Sequence, residues 1–135
     1  MKVFVVEDSP IIVARLITLL QDIEDIEISG MATTAEAASI GIAKLHPDVV
    51  ILDIVLVNGT GIDVLRTLKR ESHSPAVIML TNHTYPQYRD ICEELGAEYF
   101  LDKSTEFEKV GDLLGGMSNL ANAMADRLRP RLASR

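Results

Sequence analysis

The chain has 135 residues, a length that suits one domain with a hydrophobic core of its own. Apolar residues make up 47% and charged residues 24%, the balance of a soluble globular protein, and the net charge of −7 argues against general nucleic-acid binding. The single cysteine, Cys92, excludes an internal disulfide and favours a buried thiol. The chain shows neither an apolar stretch of membrane-spanning length nor a signal-peptide pattern, so we expect a cytoplasmic protein with no membrane partner.

Five short apolar runs alternate along the chain with segments of helical periodicity. Continuous apolar strands joined by helices indicate a parallel sheet that is covered on both faces. With right-handed crossovers and one reversal of winding, we expect the strand order 2-1-3-4-5, the flavodoxin-like doubly wound (βα)5 arrangement of the α/β class. The predicted strands are residues 3–6, 27–32, 48–53, 76–80 and 99–101.

Polar residues and prolines mark where the predicted helices begin. Hydroxyl side chains, in two cases with a glutamate three residues later, have the spacing of N-caps and capping boxes. The fourth helix is expected to begin at Pro86 and to end at Gly96, a residue suited to a left-handed stop position. The expected caps are Ser9 before Pro10 for the first helix, Thr33 with Glu36 for the second, Thr60 for the third, and Thr105 with Glu108 for the fifth.

The last predicted helix carries an interruption and an apolar stripe. Gly115 and Gly116 each cost about 1 kcal/mol in a helix interior, so we expect a break or kink there. Beyond them, Leu120, Met124 and Leu128 recur at four-residue spacing. We interpret this stripe as core packing, with a partner surface as the alternative.

The final ten residues, 126–135, are basic although the chain as a whole is acidic. They hold four arginines and one acidic residue, which leaves 9 basic and 19 acidic residues, a net charge of −10, in the rest of the chain. We expect a solvated terminus there, the alternative being a contact with a partner or with a phosphate backbone. Accordingly, residues 1–120 are predicted to form one domain, and residues 121–135 an extension of the fifth helix with a basic tail. The arginines lie at positions 127, 129, 131 and 135.

Polar residues follow four of the five predicted strands. Sites in such sheets form beyond the carboxyl ends of the strands, where the winding reverses, here between strands one and three. We therefore expect these side chains to meet at one rim. Acids that only cap helix N-termini would explain any one of them, but not the set at four strand ends. The set consists of Glu7 and Asp8 after strand one, Asp53 at the end of strand three, Thr81 after strand four and Lys103 after strand five.

The chemistry of this set points to phosphoryl transfer. Three carboxylates packed together repel each other unless a cation intervenes. Oxygen-only ligands without histidine or cysteine select a hard ion, and Mg²⁺ suits few protein ligands combined with water and phosphate oxygens. A carboxylate beside a metal, a lysine and a hydroxyl is well placed to attack phosphorus. The charge of the resulting acyl phosphate would be shared among Mg²⁺, Lys103 and Thr81.

Over residues 2 to 120, the chain resembles the receiver domain of response regulators in two-component signalling. The resemblance implies that Asp53 accepts a phosphoryl group from a phosphohistidine on a sensor histidine kinase or phosphotransfer protein. It also implies that the domain is no enzyme for other substrates and catalyses only its own phosphorylation and slow dephosphorylation. The motifs that carry the resemblance, highly specific in combination, are VVEDSP, ILDIVLVNGTGIDVL, IMLTN and GAEYFLDKS.

The resemblance implies a magnesium site around the phosphoacceptor. Besides Asp53 itself, Asp8 would bind Mg²⁺ directly and Glu7 through water, and the backbone carbonyl of Val55 would be a further ligand. Lys103 would contact the phosphoryl oxygens. These roles are expectations carried over from the family onto the matching positions of this chain.

The family also implies a switch and an output surface. Thr81 would hydrogen-bond the phosphate and draw its loop inward, and Phe100 would turn inward behind it. The surface of helix four, strand five and helix five would then change for a downstream effector protein, and a dimer through the same surface is left open. Val55 and His83 stand where the family tunes the lifetime of the phosphoryl group. Since valine cannot orient a water molecule, we expect slow self-dephosphorylation, with His83 either a base or a solvated side chain.

Three positions depart from the usual family pattern. Ser104 stands where proline often follows the lysine, which leaves the geometry of the peptide bond before it open. Val57 stands where a proline is common after the phosphoacceptor, so a looser loop is expected. Asn82 replaces a small residue and is expected to narrow the approach of the phosphodonor.

Three other functions fit these residues less well. A Mg²⁺-dependent phosphohydrolase of the dehalogenase type would need an aspartate two residues after the nucleophile, where this chain has Val55. A nucleotide or flavin binder would need a glycine- or hydroxyl-rich loop after strand one. A receiver-like interaction module that acts without phosphorylation would be expected to lack some of the five rim residues, and all are present. The sequence leaves open the kinase, the output, the oligomeric state and whether the chain is a stand-alone protein.

Overall fold

The computed structural model describes the backbone of residues 1–133 and the side chains of residues 1–128. Its five strands are parallel and have the order β2-β1-β3-β4-β5, which confirms the predicted doubly wound α/β fold. Within the described part of the chain, no helix is both long enough and apolar enough to cross a membrane. The elements are β1 (Lys2–Val6), α1 (Pro10–Gln21), β2 (Glu27–Ala32), α2 (Ala35–Leu45), β3 (Val49–Leu52), α3 (Gly61–Lys69), β4 (Ala76–Thr81), α4 (Pro86–Glu94), β5 (Tyr99–Asp102) and α5 (Lys109–Ala133).

Both faces of the sheet are buried, which explains why the central strand is apolar without alternation. All four residues of β3 are buried, and successive side chains point to opposite faces. Val50 and Leu52 pack in the core under α2, α3 and α4, together with the predicted buried thiol of Cys92. Val49 and Ile51 pack in the second core under α1 and α5.

The register of the strands brings the rim residues together. β1 and β3 are paired up to the last residue of each strand, so the residues that follow, Glu7 and Asp53, stand side by side. β4 and β5 are likewise paired up to the last residue of each, and Lys103 follows directly. The backbone N–H of Lys103 donates to the carbonyl of Thr81 at 2.9 Å, which continues the ladder one residue beyond the strands.

Several predicted helix boundaries are confirmed. The hydroxyl of Ser9 accepts a hydrogen bond from the backbone N–H of Ile12 in the first turn of α1, at 3.4 Å, and Thr60 does the same for Asp63 in α3, at 3.2 Å. The fourth helix begins at Pro86, and Gly96 adopts a positive φ of +98° just beyond its end.

Two predicted caps are wrong. The second helix is capped by Thr34, whose hydroxyl accepts a backbone N–H at 3.1 Å, and not by Thr33. The fifth helix begins only at Lys109, so Thr105 does not cap it. The backbone N–H of Thr105 instead donates to the carboxylate of Asp102 at 3.3 Å, and this side chain holds the residues after β5 in turns.

The last helix differs from the prediction in two respects. It is continuous through Gly115 and Gly116, so the predicted break is wrong; the cost of the two glycines, about 1 kcal/mol each, is offset because the turn before them packs on the core. The interpretation of the apolar stripe as core packing is also wrong, because Leu120, Met124 and Leu128 are 64%, 57% and 57% exposed. Most of the predicted basic tail, residues 129–135, lies outside the side chains that the structure describes.

Candidate functional site

The five rim residues lie together at the carboxyl end of the sheet. Glu7, Asp53, Thr81 and Lys103 are buried, whereas Asp8 is exposed. A cleft of about 440 Å³ opens above them, lined by both aspartates and the lysine of this set. The remaining lining residues are Ser9, Ile11, Ile12, Val55, Asn82 and His83.

A single ammonium group is shared by two buried carboxylates. The Nζ of Lys103 donates to Oδ2 of Asp53 at 2.7 Å and lies 2.5 Å from Oε1 of Glu7. The second contact is an ion pair without good hydrogen-bond geometry, and Glu7 Oε1 has no hydrogen-bond partner among the described residues. The buried part of the site therefore carries one negative charge in excess, even before Asp8 is counted.

Burial and the contact with the opposite charge shift the pKa of Glu7 in opposite directions, and the same holds for the pKa of Lys103. Burial raises the pKa of Glu7 to about 6, although the contact with Lys103 lowers it, and the nearby Asp53 adds to the rise. Burial alone would lower the pKa of Lys103, but its contacts with Asp53 and Glu7 outweigh this effect and raise the pKa above its ordinary value. Lys103 therefore stays protonated and positively charged at neutral pH.

Backbone groups fix the carboxylate of Asp53 in place. Its Oδ1 accepts the N–H of Ile54 at 2.7 Å, so each of its oxygens has one donor. The helix that follows begins at Gly61, whose N–H donates to the carbonyl of Ile54 at 2.7 Å. A Cβ at Gly61 would stand 1.9 Å from the carbonyl oxygen of Asp53, so only glycine allows this close approach of helix and strand end.

The acidic residues have the arrangement of a metal site. One carboxylate oxygen from each of Glu7, Asp8 and Asp53 lies within 4.8 Å of the others. The donor set is oxygen only, and its excess negative charge calls for a cation, which fits a hard divalent ion such as Mg²⁺. Val55, from which a carbonyl ligand was expected, lines the same cleft.

Two loops are joined by a hydrogen bond at the mouth of the cleft. The hydroxyl of Ser104, after β5, donates to the side-chain oxygen of Asn82, after β4, at 2.9 Å. The peptide bond between Lys103 and Ser104 is trans. Beneath this bridge, the hydroxyl of Thr81 accepts the backbone N–H of His83 at 3.0 Å. The sequence singled out Asn82 and Ser104 separately, but gave no sign of this contact between residues 22 positions apart.

The aromatic residue of the expected switch is covered by an arginine. Phe100 is buried, and the guanidinium of Arg89 lies 4.6 Å from the centre of its ring. Arg89 also donates a hydrogen bond to the carbonyl of Phe100 at 3.4 Å. Nothing in the sequence pointed to Arg89, since its position in α4 carries no local sign of a contact with β5.

The chain matches known proteins over most of its length. The family model described as response regulator receiver domain matches residues 3–114. The uncharacterized transcriptional regulatory protein YvfU of Bacillus subtilis is 32% identical, over 84% of this chain and 56% of that protein. The DNA-binding transcriptional activator EvgA of Escherichia coli K12 is 31% identical, over 76% of this chain and 50% of that protein. The chain thus spans about half the length of these relatives.

Solved structures agree with this match. The response regulator domain of Thermotoga maritima CheB is 26% identical, with a TM-score of 0.75 over 93% of this chain and 96% of that domain. The signal receiver domain of a DNA-binding response regulator from Colwellia psychrerythraea has a TM-score of 0.80 over 88% of this chain and 98% of that chain. At 20% identity, the second likeness supports the fold alone. The chain belongs to the receiver-domain family of two-component response regulators.

Proposed function

We propose that Asp53 is the phosphoacceptor of this receiver and that its donor is a phosphohistidine on a sensor histidine kinase or phosphotransfer protein. The observation that carries the proposal is the placement of Asp53. Its carboxylate is buried at the base of an open cleft, 2.7 Å from a lysine ammonium and next to two further carboxylates. Such a carboxylate is held still, is accessible from one side and has a cation beside it for the incoming phosphoryl group.

The proposed transfer step forms one bond and breaks one. A carboxylate oxygen of Asp53 bonds to phosphorus while the phosphorus–nitrogen bond of the donor breaks, and its electron pair stays on the imidazole nitrogen, which takes up a proton. The product is an acyl phosphate on Asp53. Lys103 then offsets the charge of the phosphoryl oxygens, and the hydroxyl of Thr81 donates a hydrogen bond to one of them.

The residues that would hold Mg²⁺ are Asp8 directly, Glu7 through water, Asp53, and Val55 by its backbone carbonyl. When bound, the ion supplies positive charge that offsets the carboxylates and the phosphoryl oxygens. The protein's own contribution is to keep these oxygens close to one another before the donor arrives.

The proposed acyl phosphate is long-lived. Val55 is 46% exposed at the cleft and has no polar side-chain atom that would orient a water molecule towards phosphorus. His83 is half-buried at the same cleft and is the candidate for what hydrolysis remains. The chain would thus catalyse only its own phosphorylation and slow dephosphorylation.

The proposed output surface is formed by α4, β5 and α5. Three large apolar or aromatic side chains are exposed there, Tyr85 and Ile91 at α4 and Tyr99 on β5. Phosphorylation would shift Thr81 and Phe100 behind this surface and change its fit to a downstream effector protein, or to a second receiver. Residues 1–120 would act as the phosphoacceptor unit in the cytoplasm, and we assign no direct nucleic-acid contact to this acidic chain, although relatives of about twice its length are named DNA-binding regulators.

Intact mass after incubation with acetyl phosphate tests this function. We expect a single phosphoryl addition that requires both Mg²⁺ and Asp53, and that is absent from Asp53→Asn. Asp63→Asn, an exposed aspartate in α3, is the matched control and is expected to behave as wild type. No addition to the wild type would favour the alternative, an interaction module that acts without phosphorylation.

A further inference from the structure

The end of α5 stands away from the rest of the molecule. The helix has 25 residues and is about 37 Å long, whereas the longest strands have six residues and span about 20 Å. Ser118 is the last buried residue among those described, and every residue from 119 to 128 is exposed. We call residues 119–128 the α5 overhang.

The composition of this segment is unusual for a helix that stands in water. Residues 113–125 contain no charged side chain, although nearly a quarter of the chain is charged. Isolated helices of this length are marginal in water, and residues 113–125, having no charged side chains, cannot form among themselves the ion pairs between neighbouring turns that stabilise an exposed helix. Its stability as a helix therefore calls for a surface that covers it.

The apolar side of the overhang continues the side of α5 that faces the core. Leu113 and Met117 pack partly against the core, and Leu120 and Met124 follow at spacings of three and four residues. This is the spacing of an apolar seam between two helices. Alanines at 121, 123 and 125 flank the seam and allow a second helix to come close.

The charges of the chain favour a second copy as the partner. Two copies with a net charge of −7 repel each other over most of their surface, and residues 119–125 of the overhang, which carry no charge, are a place where they can approach. The loop between α1 and β2, residues 22–26, has three acidic residues and no basic one, and it lies beside the overhang, because Asn122 donates to the carboxylate of Asp25 at 3.1 Å. Residues 126–135, which begin within the overhang, have a net charge of +3.

We propose that two copies of the chain pair through their α5 overhangs as antiparallel helices centred on Met124. In this arrangement Leu120 faces Leu128 of the partner subunit, and Arg127 comes next to the position of the partner's Ala121, beside the partner's acidic loop. A parallel pair would instead bring the two basic tails together. The proposal goes beyond phosphoryl transfer, and the pairing needs no phosphodonor.

Light scattering after size-exclusion chromatography, over a concentration series without phosphodonor, tests the proposal. We expect the wild type to form a dimer and the double variant Leu120→Glu, Met124→Glu to raise the dissociation constant by at least about a hundredfold, because each dimer would bury four unpaired charges. The matched control is Met31→Glu, Ile40→Glu, two residues of similar exposure, 53% and 63%, on β2 and α2. It is expected to dimerise as the wild type does, and circular dichroism checks that each variant is folded.

A wild type that stays monomeric throughout the series would overturn the proposal. So would a dimer that survives in the Leu120→Glu, Met124→Glu variant, which would place the interface elsewhere, such as on the α4, β5 and α5 surface.

Disulfide formation tests the orientation separately. Leu120→Cys and Leu128→Cys proteins are oxidised alone and mixed, with the natural Cys92 buried and out of reach. The antiparallel pair predicts cross-linking chiefly in the mixture. Strong cross-linking of each protein with itself would indicate a parallel pair and overturn the proposed arrangement.

Discussion

Lys103 offsets the charge of two buried carboxylates, and its removal would leave both without a counter-charge. We expect Lys103→Met to lower the free energy of unfolding by about 3 kcal/mol in the presence of a chelator, since a buried ion pair that loses one partner is strongly destabilised. Mg²⁺ should restore more stability to this variant than to the wild type, because the ion replaces the missing charge. Urea unfolding with and without Mg²⁺ measures both effects.

An exposed lysine provides the control for this change. Lys109 pairs with Glu106 at 2.7 Å, but its side chain is 60% exposed. We expect Lys109→Met to change the free energy of unfolding by less than about 1 kcal/mol, with or without Mg²⁺. If Lys103→Met and Lys109→Met lowered the free energy of unfolding equally, burial would not be the reason why the ion pairs of Lys103 matter for stability.

Cys92 makes the free energy of unfolding depend on pH in the alkaline range. Burial raises the pKa of its thiol from 9.0 to about 11, so the folded chain resists losing the proton that the unfolded chain gives up. The protonated thiol contributes its full stability at pH values below the pKa of the unfolded chain. This contribution is lost as the pH rises towards the higher pKa of the folded chain. Between about pH 8 and about pH 10, we expect the wild type to lose about 1.4 kcal/mol relative to Cys92→Ala. Urea unfolding of both proteins at the two pH values checks this, and a constant difference between them would count against a buried thiol.

At the scale of the helices, we expect replacement of glycine by alanine to have opposite effects on stability at two positions, Gly61 and Gly115. A Cβ at Gly61 would meet the carbonyl oxygen of Asp53 at 1.9 Å, whereas a Cβ at Gly115 has nothing within 4 Å. We expect Gly61→Ala to push α3 away from the end of β3, to cost about 2 kcal/mol or more and to slow phosphorylation of Asp53. Gly115→Ala should stabilise the chain by about 0.5 to 1 kcal/mol, as alanine does in a helix interior. Thermal unfolding ranks the two variants, and a destabilised Gly115→Ala would mean that α5 is not helical there.

The hydrogen bond between the β4–α4 and β5–α5 loops involves a residue that lines the cleft, Asn82. The hydrogen bond from Ser104 holds the side chain of Asn82, which lines the same cleft as Asp53, and we expect this to slow the approach of a phosphodonor. Because one such bond is worth about 0.5 to 1.5 kcal/mol, we expect Ser104→Ala to speed phosphorylation by acetyl phosphate by about three- to tenfold. Ser72→Ala, at an exposed serine between α3 and β4, is the control. If Asn82→Ala accelerates the reaction and Ser104→Ala does not, the size of Asn82 and not the hydrogen bond limits access.

For the molecule as a whole, the parts that could be predicted from the sequence depend on pattern and topology. Apolar runs and the crossover rule give the strand order, and the strand order alone brings residues as distant as Glu7 and Lys103 to one rim. The parts that could not be predicted depend on contacts between elements. Three features depend on exact side-chain positions, which a sequence pattern does not define. They are the sharing of Lys103 between two carboxylates, the arginine over Phe100, and the helix cap at Thr34 in place of Thr33.

The stripe on α5 shows why one pattern left two interpretations open. Spacing tells which residues share a side of a helix, but not whether the sheet extends far enough to cover them. Here α5 continues past the sheet, so the side that packs partly on the core at Leu113 and Met117 is exposed at Leu120. Whether the stripe is buried depends on the length of the last helix relative to the strands, which is seen only in the folded molecule.

The same geometry predicts that the receiver and the α5 overhang are separable. Beyond residue 120, the hydrogen bond between Asn122 and Asp25, both exposed, is a contact that the overhang makes with the body, and such a bond is worth about 1 kcal/mol or less. We expect a chain that ends at residue 120 to keep its free energy of unfolding within about 1 kcal/mol of the full chain, at concentrations where both are monomeric. Its rate of phosphorylation by acetyl phosphate should stay within about twofold, since that limit corresponds to less than 1 kcal/mol in the barrier. Its tendency to dimerise should be lost. A shortened chain that unfolds readily would show that the overhang packs against its own domain, and this result would remove the reason to look for a partner.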